Sequence, residues 1–366
     1  MSTYNRVKPL HNLHKRLERL GVDAVLFNTS ETMSSYNVRY LTGFTGSEAA
    51  ILITRGEWFL FTDGRYKTQA KQQAPEFRVR VVRNKLDALA RAIKAGGVQR
   101  LGLEAQRVSY DFITSLSRRL PEVKLISLNR TFLEHLRIRK TSDEKMKIQR
   151  AAHIAALACK EIVGRGLSGK REIEVAAELE TEMRRNGAEA VAFESIVASG
   201  ERSALPHGEP SDRVIGRGEL VIIDYGCRLE GYHSDETITC VTGKPSDKQK
   251  KIHNAVYEAH MRALDAAKPG IRAREIDGIA RRSITDAGFG NYFLHGLGHG
   301  VGLEIHEPPY LSPRGRGVLE QGMVFTIEPG VYLEGQEGVR LESLVYLDRQ
   351  GPELLSEMPK DLIPAE

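Results

Sequence analysis

The sequence predicts an α/β protein with an α+β layout and two domains. Residues 1–138 form a mixed domain, and residues 139–366 form a domain of two similar halves, each a helix pair followed by a strand pair. Three observations carry this. Short apolar runs alternate with amphipathic stretches through the first third. A polar stretch at 136–143 interrupts the pattern. The remainder repeats itself about 104 residues on. A chain of 366 residues suits two domains of ordinary size.

In chain order, residues 13–20 are amphipathic and stop at Gly21, a helix ending in a C-terminal glycine. Residues 22–27 read as a buried strand. The runs 49–54 and 58–62, separated by Arg55-Gly56-Glu57, read as a hairpin. A helix at 66–73, a strand at 77–82, a helix at 86–95 closed by Gly96-Gly97, and a strand from Leu101 complete the first domain. Ser142 is placed as the N-cap of a long helix over 143–163, and a second helix spans 172–185 and stops near Gly187.

The repeat is read from four landmarks. Arg171-Glu172-Ile173 recurs as Arg274-Glu275-Ile276, Asp224-Tyr225-Gly226 in form as Glu328-Pro329-Gly330, and Leu229-Glu230-Gly231 as Leu333-Glu334-Gly335. The helix start near Asp143 recurs near Asp247. Two pseudo-symmetric halves follow, with their strands expected to join in one sheet and a shared site between them.

Composition narrows the function. Charged residues are 28% and apolar residues 41%, so the chain can build a core and does not read as disordered. The net charge of +5 is spread without blocks of like sign, which argues for a solvated surface and against a nucleic-acid partner. Three cysteines and no CxxC pair provide neither a disulfide framework nor a zinc knuckle, so a reducing, cytoplasmic setting is expected. The first ten residues have no apolar core of a signal peptide, and no run is long enough to span a bilayer.

The chemistry lies on the repeated strands. The apolar run 220–223 ends in Asp224, and the next strand carries Asp235. In the second half the run 324–327 ends in Glu328, and its partner strand carries Glu342. A carboxylate ending a buried strand is costly unless paired or bound to a cation. Four in matched positions converge and repel, and a cluster of cations is the natural solution. A nitrogen donor lies just upstream, in His295-Gly296-Leu297-Gly298-His299-Gly300-Val301-Gly302, whose alternate glycines exclude a stable helix and let backbone approach a site closely. It is neither a phosphate loop nor HExxH. His299 beside four carboxylates is read as a metal ligand. One imidazole with four carboxylates is oxygen-rich and suits manganese, cobalt or iron better than structural zinc. Five ligands exceed the needs of one catalytic ion, whereas two divalent ions about 3.5–4 Å apart would use them all. The implied chemistry is metal-assisted hydrolysis of an amide. His207, in a Pro/Gly loop, and His306, after the glycine tract, are placed to donate to an oxyanion or hold a substrate carbonyl.

At these residues the sequence resembles the pita-bread metallopeptidases: methionine aminopeptidase, prolidase and aminopeptidase P, with the non-metal creatinase as a relative. The resemblance covers nearly the whole chain. It implies that Asp224 and Asp235 hold one ion, that His299 and Glu328 hold the other, that Asp235 and Glu342 bridge, and that Glu328 also shuttles a proton. It matches His207 and His306 to substrate-contacting histidines, His295 to one found in the Xaa-Pro-cleaving branch, and Arg340 to the Val-Arg-x-Glu strand of that branch. The segments Asn37-Val38-Arg39-Tyr40-Leu41-Thr42-Gly43 and Thr62-Asp63-Gly64-Arg65-Tyr66 resemble the creatinase/prolidase N-terminal domain, which methionine aminopeptidases lack. Many relatives place Arg between the two threonines after the second Asp; Ile238 stands there in this chain. The resemblance implies hydrolysis of the Xaa-Pro bond in short proline-containing peptides by a homodimer loaded with two divalent ions, manganese first, with cobalt, iron or zinc as alternatives. The other reading is an inactive binding module on the same fold, against which the complete ligand set counts.

Overall fold

The computed structural model describes Leu13, Leu17 and every residue from 21 to 366, with the side chains of all but Arg130 and Thr131. The helix expected at 13–20 and the first ten residues, in which no signal-peptide core was expected, therefore lie outside the described residues, apart from Leu13 and Leu17. The chain forms two compact units, Met1–Arg137 and Ile138–Glu366. Among the described residues no helix is long and apolar enough to cross a membrane.

The first unit is built on one sheet. Strands β1 (Ala24–Thr29), β2 (Ala49–Thr54), β3 (Trp58–Thr62), β4 (Arg78–Val81), β5 (Arg100–Leu103) and β6 (Lys124–Ser127) run in the order β4-β3-β2-β1-β5-β6. The β2–β3 hairpin has the expected bounds. Alternation along β1 sends Val25 and Phe27 into one apolar cluster and Ala24 and Leu26 into another, so the sheet is covered on both faces. Helices α1 (Tyr36–Thr42), α2 (Lys67–Gln73), α3 (Lys85–Ala95), α4 (Tyr110–Arg119) and α5 (Arg130–Glu134) complete the unit.

The second unit repeats one plan. Helices α6 (Ser142–Gly164) and α7 (Glu172–Arg185) are echoed by α8 (Asp247–Ala266) and α9 (Ala273–Asp286). The N-cap of α6 is Thr141 rather than Ser142. Only Thr141 has a Glu three residues on: its hydroxyl accepts from Glu144 N at 3.3 Å, and the Glu144 carboxylate accepts from Thr141 N at 2.8 Å. Ser246 and Gln249 form the same box on α8. The first half contributes β7 (Ala190–Val191), β8 (Ile196–Ser199), β9 (Leu220–Tyr225), β10 (Cys227–Leu229), β11 (Tyr232–His233) and β12 (Glu236–Val241). The second contributes β13 (Gly298–Gly300), β14 (Glu307–Leu311), β15 (Val324–Ile327), β16 (Gly330–Tyr332), β17 (Gly338–Arg340), β18 (Ser343–Leu347), β19 (Pro352–Leu354) and β20 (Ile363–Pro364).

The long strands do not merge into the single sheet expected. They form two, β20-β12-β9-β8 and β14-β13-β15-β18-β19, with β11-β10-β7 and β16-β17 as small ribbons. The free edge of β12 is divided. Its end pairs with β20 at Cys240 and Val241, while at Thr237 it accepts a main-chain bond from Glu342 N at 3.0 Å. Between them the Thr239 hydroxyl donates to Arg340 O at 2.8 Å and accepts from Arg340 N at 3.3 Å, a side chain standing where a ladder bond would run. Each half keeps its own apolar core under its helix pair. Val221, Ile223 and Ile238 pack with α6 and α7, and Phe325, Ile327 and Val345 with α8 and α9. Each such buried side chain contributes about 1.5–3 kcal/mol, which fixes the strand faces.

Candidate metal centre

The strand faces decide where the carboxylates go. On β9, Val221, Ile223 and Tyr225 point to the helices, so Asp224 lies on the opposite face. On β12, Ile238 and Cys240 point to the helices, so Thr237, and Asp235 before it, lie opposite. In the second half Phe325 and Ile327 face the helices and place Thr326 and Glu328 opposite, while Val345 and Leu347 do the same for Glu342. The period of two thus turns four acids away from both cores and into one space. Asp235 and Glu342 are only 5% and 2% exposed.

His299 is the middle residue of β13, and its glycine neighbours are required by contact. A Cβ on Gly298 would collide with Thr326 O, and one on Gly300 with Pro308 O. The main-chain N–H of His299 donates to the Thr326 hydroxyl at 3.0 Å, and that hydroxyl donates to Glu328 Oε1 at 3.1 Å. Ligand atoms of Asp235, His299 and Glu342 all lie within 4.8 Å of one another.

The electrostatics of this group fit bound cations. His299 Nδ1 lies 3.1 Å from Gly300 O, a pure acceptor, so we assign the ring proton to Nδ1. The Nε2 lone pair then faces Glu328 Oε1 at 3.3 Å and Asp235 Oδ2 at 3.5 Å, and repels both once these acids are ionised. Burial, with His306 beside it, lowers the imidazole to about 4, so it is not protonated at neutral pH to relieve the contact. Burial pushes Asp235 well above the carboxylate range, reinforced by Glu342, Asp224 and Glu328. Burial does the same to Glu342, reinforced by Glu328 and Asp224. Burial raises Glu328 to about 8, against the pull of Arg340. Asp224 Oδ1 is buried without a hydrogen-bond partner. Crowded carboxylates, an orphaned acid oxygen and a lone pair aimed at them form a donor set that divalent cations would satisfy.

The other expected residues share one cavity of about 670 Å³ with these five: His207, His295, His306 and Arg340 all line it. His306 packs edge-on against His299, with ring centroids 4.3 Å apart, and burial lowers its imidazole. Arg340 is 3% exposed, and its guanidinium is fully engaged. Nη2 donates to Asp224 Oδ2 at 2.6 Å, Nη1 to Pro206 O and the Tyr332 hydroxyl at 3.0 Å each, and Nε to the Thr237 hydroxyl at 3.3 Å. Thr237 passes its proton on to Glu342 Oε2 at 2.7 Å. His295 Nδ1 donates to Gly296 O at 2.8 Å, so its Nε2 accepts from the Tyr332 hydroxyl at 2.9 Å. Sequence reasoning did not find Tyr332, which links Arg340 to His295. Its signal was Gly330, where a Cβ would meet the Tyr332 hydroxyl at 2.5 Å. Ile238 is fully buried in the apolar cluster of the first half and takes no part in this network.

Comparison with known proteins agrees with this geometry. Residues 146–349 match Metallopeptidase family M24, and residues 9–139 match the Creatinase/Prolidase N-terminal domain. The chain is 39% identical over 356 residues to a Xaa-Pro dipeptidase of Pyrococcus furiosus, covering 97% of this chain and 99% of that one. Among solved structures it resembles an X-Pro aminopeptidase from Thermotoga maritima (TM-score 0.90, 42% identity, 95% of this chain and 99% of that one). It also resembles a Xaa-Pro dipeptidase from Bacillus anthracis (TM-score 0.93, 39% identity, 98% and 99%). With the acid-rich site on duplicated hairpins and both sequence domains matched in order, this chain belongs to Metallopeptidase family M24 and is a metal-dependent peptide hydrolase with a Creatinase/Prolidase N-terminal domain.

Proposed function

We propose that the enzyme hydrolyses the bond between an N-terminal residue and proline in short peptides, using two divalent cations held by Asp224, Asp235, His299, Glu328 and Glu342. The observation that carries the ligand assignment is the His299 lone pair facing the Asp235 and Glu328 oxygens. The named relatives supply the substrate class. Four carboxylates and one imidazole favour manganese, ahead of cobalt, iron and zinc. Three buried free cysteines suit the cytoplasm, and family resemblance favours a homodimer.

Cations held by these five residues would polarise the scissile carbonyl and acidify a water. The chain's own residues do the rest. Glu328, steadied by Thr326, takes the proton from the attacking water and delivers it to the departing nitrogen. That delivery matters because the amide nitrogen of proline carries no hydrogen and leaves poorly without one. His306 and His207 donate to the carbonyl oxygen as it gains charge. Both nitrogens of His295 are occupied, so it contributes its ring to the cavity wall and meets the substrate as a surface. Arg340 fixes the Asp224 carboxylate and, through Thr237, that of Glu342.

The test is a manganese-reconstituted sample assayed on an Xaa-Pro dipeptide, an Xaa-Pro-Xaa tripeptide and the matching Xaa-Ala dipeptide. Cleavage of either proline substrate, with the alanine control left intact, is expected. Equal rates on the proline and alanine dipeptides would overturn the substrate assignment.

A further inference from the structure

We propose that the buried Lys140–Glu307 ion pair is a positioning device that sets the imidazole of His306 over the metal centre. The inference rests on the reading of His306 as a donor to the reacting carbonyl. Lys140 Nζ lies 2.7 Å from Glu307 Oε1, and the two side chains are 1% and 3% exposed. A dry ion pair is a poor source of net stability, because desolvating both charges offsets most of their attraction. Its place in the chain suggests another use.

Glu307 follows His306 directly and opens β14, while His299 lies on β13, and the loop between them carries His306. The Glu307 carboxylate turns back beneath that loop, where Oε2 accepts from Glu304 N at 3.4 Å. Gly302 makes the room: a Cβ there would meet Glu307 Oε1 at 2.6 Å. The same glycine accepts at its carbonyl from His233 N at 2.9 Å. Lys140 is fixed in turn, since its N–H donates to Gly322 O at 2.6 Å, on the approach to the strand that ends at Glu328. The pair therefore ties the loop of the oxyanion donor to the strand of the proton carrier. Between β13 and β14 the ladder slips at His299/Gly300, so main-chain pairing alone does not fix the loop.

The test is a double-mutant cycle on the full-length, manganese-loaded enzyme. Lys140→Met with Glu307→Leu removes both charges of the pair together. The expected result is a melting midpoint, a metal content and a KM close to the parent's, with kcat lower by about tenfold to a hundredfold, the scale on which a misplaced group costs rate. Built into His306→Ala, the same pair of changes should cost no more than about twofold further, because a residue acting through His306 is silent once that ring is gone. Should the double variant melt early, Glu307→Gln, which keeps the shape, is read in the same cycle. A parental kcat in a folded variant, an undiminished loss in the His306→Ala background, or a rise in KM with kcat intact would each overturn the positioning role. A parental kcat in His306→Ala alone would overturn the role of His306 itself, and the inference with it.

Discussion

Stripping the metal should make the stability of this fold fall with pH, and the share due to Glu328 can be worked out. In the metal-free protein its carboxyl is raised from 4.5 to about 8 by burial. Below pH 4.5 it is protonated in both folded and unfolded chains and contributes nothing to the difference. As pH rises, the unfolded chain ionises while the fold keeps its proton. The penalty grows until about pH 8 and is constant beyond. At about 1.4 kcal/mol per pH unit, the gap is worth about 5 kcal/mol. For a unit the size of Ile138–Glu366 that corresponds to about 10–20 °C in melting midpoint.

The assay is a thermal melt of chelator-treated protein from pH 5 to pH 9, with Glu328→Gln run beside the parent so that titrating groups outside the acid cluster cancel. The variant should gain on the parent steadily as pH rises and lead by most of that interval at pH 9. Manganese added to the parent at pH 8 should close the gap, since bound cations hold the carboxylate ionised without cost to the fold. Parallel curves for the two stripped proteins across the whole range would refute the placement of Glu328 in a buried, acid-crowded site.

Three further outcomes follow from particular contacts. Asp235→Ala should abolish turnover on an Xaa-Pro peptide while leaving the circular dichroism spectrum unchanged; retained turnover would remove Asp235 from the centre. Arg340→Met should cost the metal-free protein about 3–5 kcal/mol in urea unfolding, because Asp224 loses its buried counter-charge, and less once cations are bound to Asp224. Lys360→Met should cost a similar amount by leaving Glu236, 3% exposed at the side chain, without its cation at 2.6 Å; adding Glu236→Gln should restore most of it.

What could be read from the chain was whatever breaks a periodic pattern. Asp224 and Glu328 stand out because each ends a short run rich in β-branched residues, and a charge there needs a reason. The hairpin at 49–62 was legible because Arg55-Gly56-Glu57 interrupts two apolar runs. Tyr332 was not legible, since a tyrosine on a strand is ordinary and its partners, Arg340 on the paired strand β17 and His295 upstream of β13, come to it only in the fold. Lys140 and Glu307 stand 167 residues apart and each looks like a surface charge, so nothing local marks them as buried. The single sheet failed for a related reason. Strand count and alternation say nothing about which strand claims an edge, and part of the β12 edge goes to β20 at the end of the chain. Thr141 and Ser142 are equivalent as caps until the acid at position 144 is counted from each.

The duplicated halves do not contribute equally, and the inequality locates the chemistry. Each half sends two carboxylates into the shared space, which suffices for a cation cage, but the reactive additions come largely from the second. In the first half Asp235 stands 11 positions after Asp224, while in the second Glu342 stands 14 positions after Glu328. The three extra residues lengthen the second ribbon, β16 and β17, beyond its counterpart β10 and β11, and it carries Tyr332 and Arg340 to the acids of both halves. The second half also supplies β13 and the loop after it, hence His299 and His306, where the first offers only His207 from a loop. A symmetric scaffold thus places acids evenly around the shared space, whereas the proposed hydrolysis needs one face for the donor to the carbonyl and another for the proton carrier. The longer second hairpin and the strand before it provide that asymmetry without disturbing the four carboxylates that the repeat holds in place.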